Sequence, residues 1–317
     1  MSISTGGRLN RAAVGWSRHP LQECSIEGRW PRKKRWHFWL VTSDTHLVAL
    51  TFADVDYFGL AHVSFWSYDS KDAVSKGALR LGGWKRGLPP GASRGPPFEV
   101  SGMGLRLSIA ESPAGAKLAA RSKRISLDIE VERPPGHETL NVLVPWSDRR
   151  FQFTSKQNCL PARGKAVVDG AEHRFDPENR AYGTLDFGRG VWPCNVEWNW
   201  ATACGVQGNR VVGLNLGGKW TDGTGVTENG VVVDGKLTKI HTDVRFDYDR
   251  RNLMKPWTVR GEEVNLRFDP LKANPLRVPL GVVSVNNRQC YGRFSGRVAG
   301  VEVRDLMGSA EDFRARW

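Results

Sequence analysis

From Arg124 to Glu132 the chain reads RISLDIEVE, and its side chains alternate strictly. Ile125, Leu127, Ile129 and Val131 are apolar, while Ser126, Asp128, Glu130 and Glu132 are polar. A period of two puts one set on a buried face and the other in water, the pattern of an antiparallel strand with one wet side. Ile240, Thr242, Val244 and Phe246 alternate with His241, Asp243 and Arg245 in the same way. Asp169-Gly170 and Asp234-Gly235 are two-residue hairpin signals, so NGVVVDGKLTKIHTDVRF (Asn229 to Phe246) reads as a hairpin. PAGAKLAARSKR, between two alternating segments, reads as a hairpin turn and a strand. Helical periodicity is scarce. Only SAEDFRARW at the C-terminus predicts a short helix, with Ser309 as its cap and Asp312 in its first turn.

Strands at regular spacing imply an all-β protein, a barrel or a sandwich. At 317 residues the chain exceeds one small core and fits two domains or one large barrel. Gly82 to Gly102, rich in glycine and proline, reads as a long loop. A second break falls in SKQNCLPARGKAVVDG, which places a domain boundary near Ala162. The expectation is two antiparallel β-barrel domains, 1–161 and 162–317, with less than about 15% helix, well under the globular average.

Composition narrows the function. No run of 18 apolar residues exists, so no membrane-spanning helix is expected. The N-terminus lacks an apolar core of signal-peptide length, and a cytoplasmic protein is expected. The five cysteines lie far apart with no C-x-x-C pair, and buried reduced thiols are the expectation. The seven histidines lack zinc-ligand spacing, so no metal site is expected. The net charge is +13, but the cations are scattered except in RWPRKKRWHFW. Without a reading motif, nucleic acid is not expected as a partner. The segment Arg29 to Arg35 could instead lie outside a strand and touch an anionic membrane. Trp36 and Phe38 would share one face of that strand, and His37 and Trp39 the other.

Candidate chemistry gathers in the second half. Thirteen tryptophans is a high count. In WPCNVEWNW, Trp198 and Trp200 fall on one face of a strand and make a flat apolar wall. Asp186 and Arg189, just upstream, could form an ion pair at a pocket floor or clamp two strands. GLNLGGKWTDGTGVTENG, from Gly213 to Gly230, begins as a strand whose second face carries only Asn215 between glycines. Glycines there allow another group to come close. Asp222 and Thr224 read as turn staples. Glu228 is the freer carboxyl, and Trp220 would lie over the pocket mouth. A carboxyl beside tryptophans in a water-poor site has a raised pKa and can protonate an alkene. Glu228 is the first candidate acid and Asp222 the second. No phosphate loop, EF-hand, dinucleotide fingerprint or hydrolase elbow occurs.

The stretches GGRLNRAAVGWSRHPL, RKKRWHFWLV, DFGRGVWP, WNWATACG, LNLGGKWTDGTGVTENG and QCYGRFSG together resemble the domain-of-unknown-function family 2804 over the whole chain. From Ala162 to Gly205 the layout is distantly similar to the tocopherol cyclase family. Asp186-Phe187-Gly188 departs from it, standing where that layout has Asn-Trp-Gly. With the carotenoid hydratase and AttH-like proteins, that family implies two lipocalin-like β-barrels. The resemblance and the tryptophan wall together imply a hydrophobic small molecule as partner. They also imply acid-catalysed, cofactor-free cyclisation or hydration. The alternatives are a lipocalin-like carrier or sensor without turnover, and a carbohydrate-active protein with paired carboxylates in an open cleft. Ligand contacts are expected from Trp198, Trp200, Trp220, Asn215, Asp186 and Arg189.

Overall fold

The computed structural model describes residues 1–27, 30–70, 72–84, 88–280 and 283–316. Among them there is no α-helix, only one turn of 3-10 helix at Arg11–Ala13. No helix of the described residues is long and apolar enough to cross a membrane. The molecule is all-β, a nearly closed barrel beside a half-barrel.

The barrel runs from Ala73–Leu81 through Phe58–Ser67, His46–Asp54, Lys33–Thr42, Tyr182–Val191 and Arg150–Val168. It continues through Ile125–Glu132, Gly115–Ser122 and Leu105–Ser112 to Phe98–Gly102. Its two edges approach where the Leu79 amide points at Met103 Sδ, 3.5 Å away. Ile125–Glu132 behaves as its alternation predicts, with every apolar residue buried. The Asp169-Gly170 and Asp234-Gly235 turns close hairpins as read. The interior is filled by buried side chains such as Trp39, Phe52, Leu127 and Phe187.

The second sheet has nine strands, from Lys236–Ile240 at one edge to Arg245–Asp247 at the other. Ile240 to Phe246, expected as one strand, is therefore split. The hairpin ends at Ile240, and the chain crosses to start the opposite edge. The expected C-terminal helix does not form either. Ser309 to Arg314 lies inside the strand Val301–Arg316, paired on both sides by Asn195–Gln207 and Val283–Val298. Two neighbours satisfy its backbone, and an isolated turn of helix would forfeit that pairing.

The change from first sheet to second falls between Val191 and Asn195. Ala162, where the domain boundary was expected, sits inside the strand Arg150–Val168. That strand turns a corner at a bulge between Gln157 and Leu160, where Cys159 has φ of 61°. Such an extra residue bends a strand and re-aims its side chains. Here it swings Asn158 out of the barrel. The Asn158 amide donates to Thr202 Oγ1 (2.8 Å) and to the Leu214 carbonyl (3.2 Å), tying the two sheets together. Of the five free cysteines, four are buried and Cys194 is exposed.

Candidate functional site

A cavity of about 390 Å³ lies between the two sheets. Strand alternation builds its walls. On Lys33–Thr42, His37, Trp39 and Val41 are buried on the barrel side, and Trp36 and Phe38 face the cavity. On Asn195–Gln207, Ala201 and Ala203 join the core of the second sheet, while Trp198 and Trp200 face the cavity. Trp198 stacks on Phe313 at 3.6 Å between ring centroids. Phe38 meets Trp200 edge-on at 5.8 Å across the gap. Trp192 and Trp220 stack at one end, 6.0 Å apart.

Two carboxylates and one ammonium are set into this wall. Lys156 Nζ lies 2.8 Å from Asp186 Oδ1 and 3.0 Å from Glu228 Oε2, and 4.7 Å from the centre of the Trp200 ring. The contact with Glu228 Oε2 is an ion pair off hydrogen-bond alignment. Trp220 Nε1 donates to Glu228 Oε1 at 2.6 Å, and Thr154 Oγ1 to Asp186 Oδ1 at 3.2 Å. The Lys156 and Glu228 side chains are 4% and 2% exposed, so solvent screens the cluster little. Burial raises the Glu228 pKa, with Lys156 opposing. For Lys156, burial favours the neutral amine, but Asp186 and Glu228 outweigh it and hold the ammonium charged.

A third carboxyl lies beyond Trp200. Glu311 is paired in register with Trp200 and lines the same cavity. Trp198 Nε1 donates to its Oε1 at 2.6 Å, and the Asn287 amide to its Oε2 at 3.0 Å. Burial lifts its pKa to about 7, despite those two hydrogen bonds. Neither Lys156 nor Glu311 was singled out from the sequence. Lys156 lies in a polar run that reads as a linker, and Glu311 in a segment that reads as a helix. Alternation of Ser309, Glu311 and Phe313 was the available signal for the second.

The family model for a domain of unknown function, DUF2804, matches residues 2–317. The chain belongs to this family. No curated protein matches it in sequence. Solved structures share its fold at low identity, among them the following three. Kievitone hydratase from Nectria haematococca has a TM-score of 0.56 at 10% identity, covering 90% of this chain and 89% of its own. A putative AttH from Nitrosomonas europaea has 0.54 at 11%, covering 89% and 92%. CghA with Sch210972 has 0.54 at 14%, covering 90% and 89%.

In this DUF2804 chain, Trp198, Trp200, Trp220, Asp186 and Glu228 meet around one cavity. The cavity lies between the sheets, and not in the mouth of a second barrel as the glycine-rich stretch suggested. Asn215 does not line it. Asn215 accepts from Trp200 Nε1 (2.8 Å) and donates to the Glu228 carbonyl (2.6 Å), so it positions both. The glycines beside it make room for the protein's own groups. A Cβ at Gly217 would overlap the Glu228 carboxyl, and one at Gly213 would collide with Cys159 Sγ.

Arg189 is a correction. Its separation from Asp186 is odd, so it points to the opposite face, into the barrel. There it donates to the carbonyls of Trp36 (2.8 Å) and Gly188 (2.7 Å) and does not pair with Asp186. Asp222 is exposed and away from the cavity. Its Oδ1 accepts from the Lys219 amide at 2.8 Å, the staple role. Asp222→Asn should therefore change stability by less than about 0.5 kcal/mol, since an amide oxygen makes the same turn. A urea melt showing a loss above about 1 kcal/mol would contradict that. In the basic segment, Arg29 lies outside the described residues. Lys34 is buried, not outward, donating to the carbonyls of Pro31 (2.7 Å) and Val55 (3.2 Å). Burial lowers its pKa to about 7. Lys33 and Arg35 lie 3.4 Å from Asp56. Within the segment, Lys34 is thus turned inward, and Lys33 and Arg35 are ion-paired.

Proposed function

We propose that this chain binds an apolar, isoprenoid-like or lipid-like small molecule between its two sheets and transforms it by acid–base chemistry of its own side chains. The reaction class is cyclisation or hydration. One observation carries the reading: tryptophan walls and three carboxyl groups, Glu228 and Glu311 buried and Asp186 half-buried, share one cavity. The walls favour a flat or folded hydrocarbon, and the carboxyl groups act on a double bond or hydroxyl within it. The volume suits one small ligand. Among proteins of the same fold, one is a hydratase by name and another was solved with Sch210972, which supports the reading. A carbohydrate-active site wants two carboxyl groups facing each other across an open cleft. Glu228 and Asp186 instead share one ammonium in a buried wall.

Retinol is a suitable probe, because it is an apolar polyene that takes excitation energy from tryptophan. Saturable quenching of tryptophan emission at one retinol per chain is the expected result. Thr51→Trp, which fills the cavity from the barrel side, should weaken binding at least tenfold. Absence of saturable binding, or equal affinity in Thr51→Trp, would rule the reading out.

A further inference from the structure

The three cavity carboxyl groups are not equivalent. Asp186 and Glu228 share Lys156. Glu311 forms no ion pair among the described residues, and its two partners are the neutral donors Trp198 and Asn287. It stands next to Trp200, whose ring lies under Lys156, so both sets of groups face one space. Resting on the ligand cavity proposed above, we infer that acid and base are separate residues here: Glu311 gives the proton, and the Lys156-held carboxylates receive one.

Environment sorts the roles. An ammonium beside a carboxyl favours its charged form, as Lys156 does against burial at Glu228, whereas at Glu311 burial acts with no ion-paired cation to oppose it. The groups that face Glu311 are Asp186 and Lys156 from the barrel, Trp198 and Trp200 from its neighbouring strand, and Asn287 and Gln289 from the other. Asp186 reinforces the neutral form, and Lys156 partly opposes it. The result is an acid that remains partly protonated at neutral pH.

The step balances simply. Glu311 transfers its proton to an alkene carbon, and the adjacent carbon becomes cationic. A hydroxyl oxygen, of the ligand or of water, donates a lone pair to that carbon. The proton leaving that oxygen passes to the Asp186–Glu228 pair. The net change adds O–H across the double bond, and a proton returned to Glu311 restores the site. On an alcohol the same acid and base support a separate dehydration, distinct from the reverse of that step: Glu311 protonates the hydroxyl, water departs, and the pair takes a proton from the neighbouring carbon to leave an alkene.

Infrared spectroscopy of the whole chain can identify the proton carrier without any ligand. Burial raises Glu228 and Glu111 as well, so the reading is the difference spectrum: a protonated-carboxyl band that titrates near pH 7 should be lost from wild type on Glu311→Gln and retained on Glu228→Gln. Stability gives the same answer by linkage. A carboxyl whose folded pKa is raised contributes stability fully present below the unfolded value and lost as pH rises through about 7. Glu311→Gln should remove that slope between about pH 4.5 and 7. Bound retinol reports proton delivery, because protonation of its allylic hydroxyl releases water and lengthens the polyene. Glu311→Gln should bind retinol normally and dehydrate it at least about 10²-fold more slowly than wild type. No band near pH 7, or a wild-type band near pH 7 unchanged by Glu311→Gln, overturns the inference. So does a wild type that binds retinol and dehydrates it no faster than Glu311→Gln. Failure to bind retinol counts instead against the proposed cavity ligand, and the infrared titration still decides which residue holds the proton.

Discussion

Lys156→Met is expected to destabilise the fold by about 3–5 kcal/mol at pH 8, the usual cost of removing one partner from a buried charged set. Lys156 is ion-paired with Asp186 and Glu228, at 2.8 and 3.0 Å; Lys156 and Glu228 are buried and Asp186 is half-buried. Methionine fills similar volume, so the loss is electrostatic and not a cavity effect. A buried carboxylate, Glu228, and a half-buried one, Asp186, are left to repel each other. The folded chain relieves this by taking up protons, which raises its carboxyl pKa values above those of the unfolded chain. Stability linked to a raised carboxyl pKa is complete at low pH and lost as pH rises. The deficit should therefore be large at pH 8 and shrink toward pH 5. Adding Glu228→Gln removes one of the two stranded charges and should recover at least about 1 kcal/mol. Urea unfolding of wild type, single and double variants at both pH values measures this. A single variant within about 1 kcal/mol of wild type at pH 8 would show that the cluster is not held by its lysine.

Trp192→Ala should cost a similar amount, about 3–5 kcal/mol. Trp192 is buried, and its ring centroid lies 4.6 Å from Trp146, 5.6 Å from Trp198 and 5.7 Å from Trp36. Its Nε1 donates to Gln152 Oε1 at 2.7 Å. Alanine removes the common neighbour of these indoles and leaves the Gln152 oxygen without its donor. The new space opens into the ligand cavity, so water enters. Tryptophan emission should move to longer wavelength along with the lower urea midpoint. A loss below about 1 kcal/mol with unshifted emission would mean that the neighbouring rings close the gap.

Alternation was a sound guide wherever one face of a strand meets water. Ile125–Glu132 and both Asp-Gly hairpins are where the sequence puts them. It misled where a strand is buried on both sides. Thr154, Ser155, Lys156, Gln157 and Asn158 are all buried, yet TSKQN has the composition of a linker. A polar run survives burial only if partners exist for each group. For these residues the partners come from elsewhere in the chain: Asp186 and Glu228 for Lys156, Thr202 and Leu214 for Asn158, Arg133 for Gln157. None of them is near in sequence. SAEDFRARW was misread for a related reason, since helix preference is weak beside two flanking strands.

Local rules sufficed for what depends on neighbours in the chain. The period of two, the turn residues and the Trp198–Trp200 face all follow from backbone geometry, so the sequence alone specified strands, hairpins and a tryptophan wall. It also singled out Glu228 and Asp186, because carboxyl groups beside indoles stand out in composition. Which wall faces which was decided only in three dimensions. The outer face of the barrel and the outer face of the second sheet meet, and the space between them joins residues from Lys34 to Phe313. The same packing gave Arg189 to the barrel interior, Asp222 to the solvent, and Lys156 and Glu311 to the cavity. Charge and burial act through space, so the partner that holds a buried carboxyl group can lie anywhere in the chain.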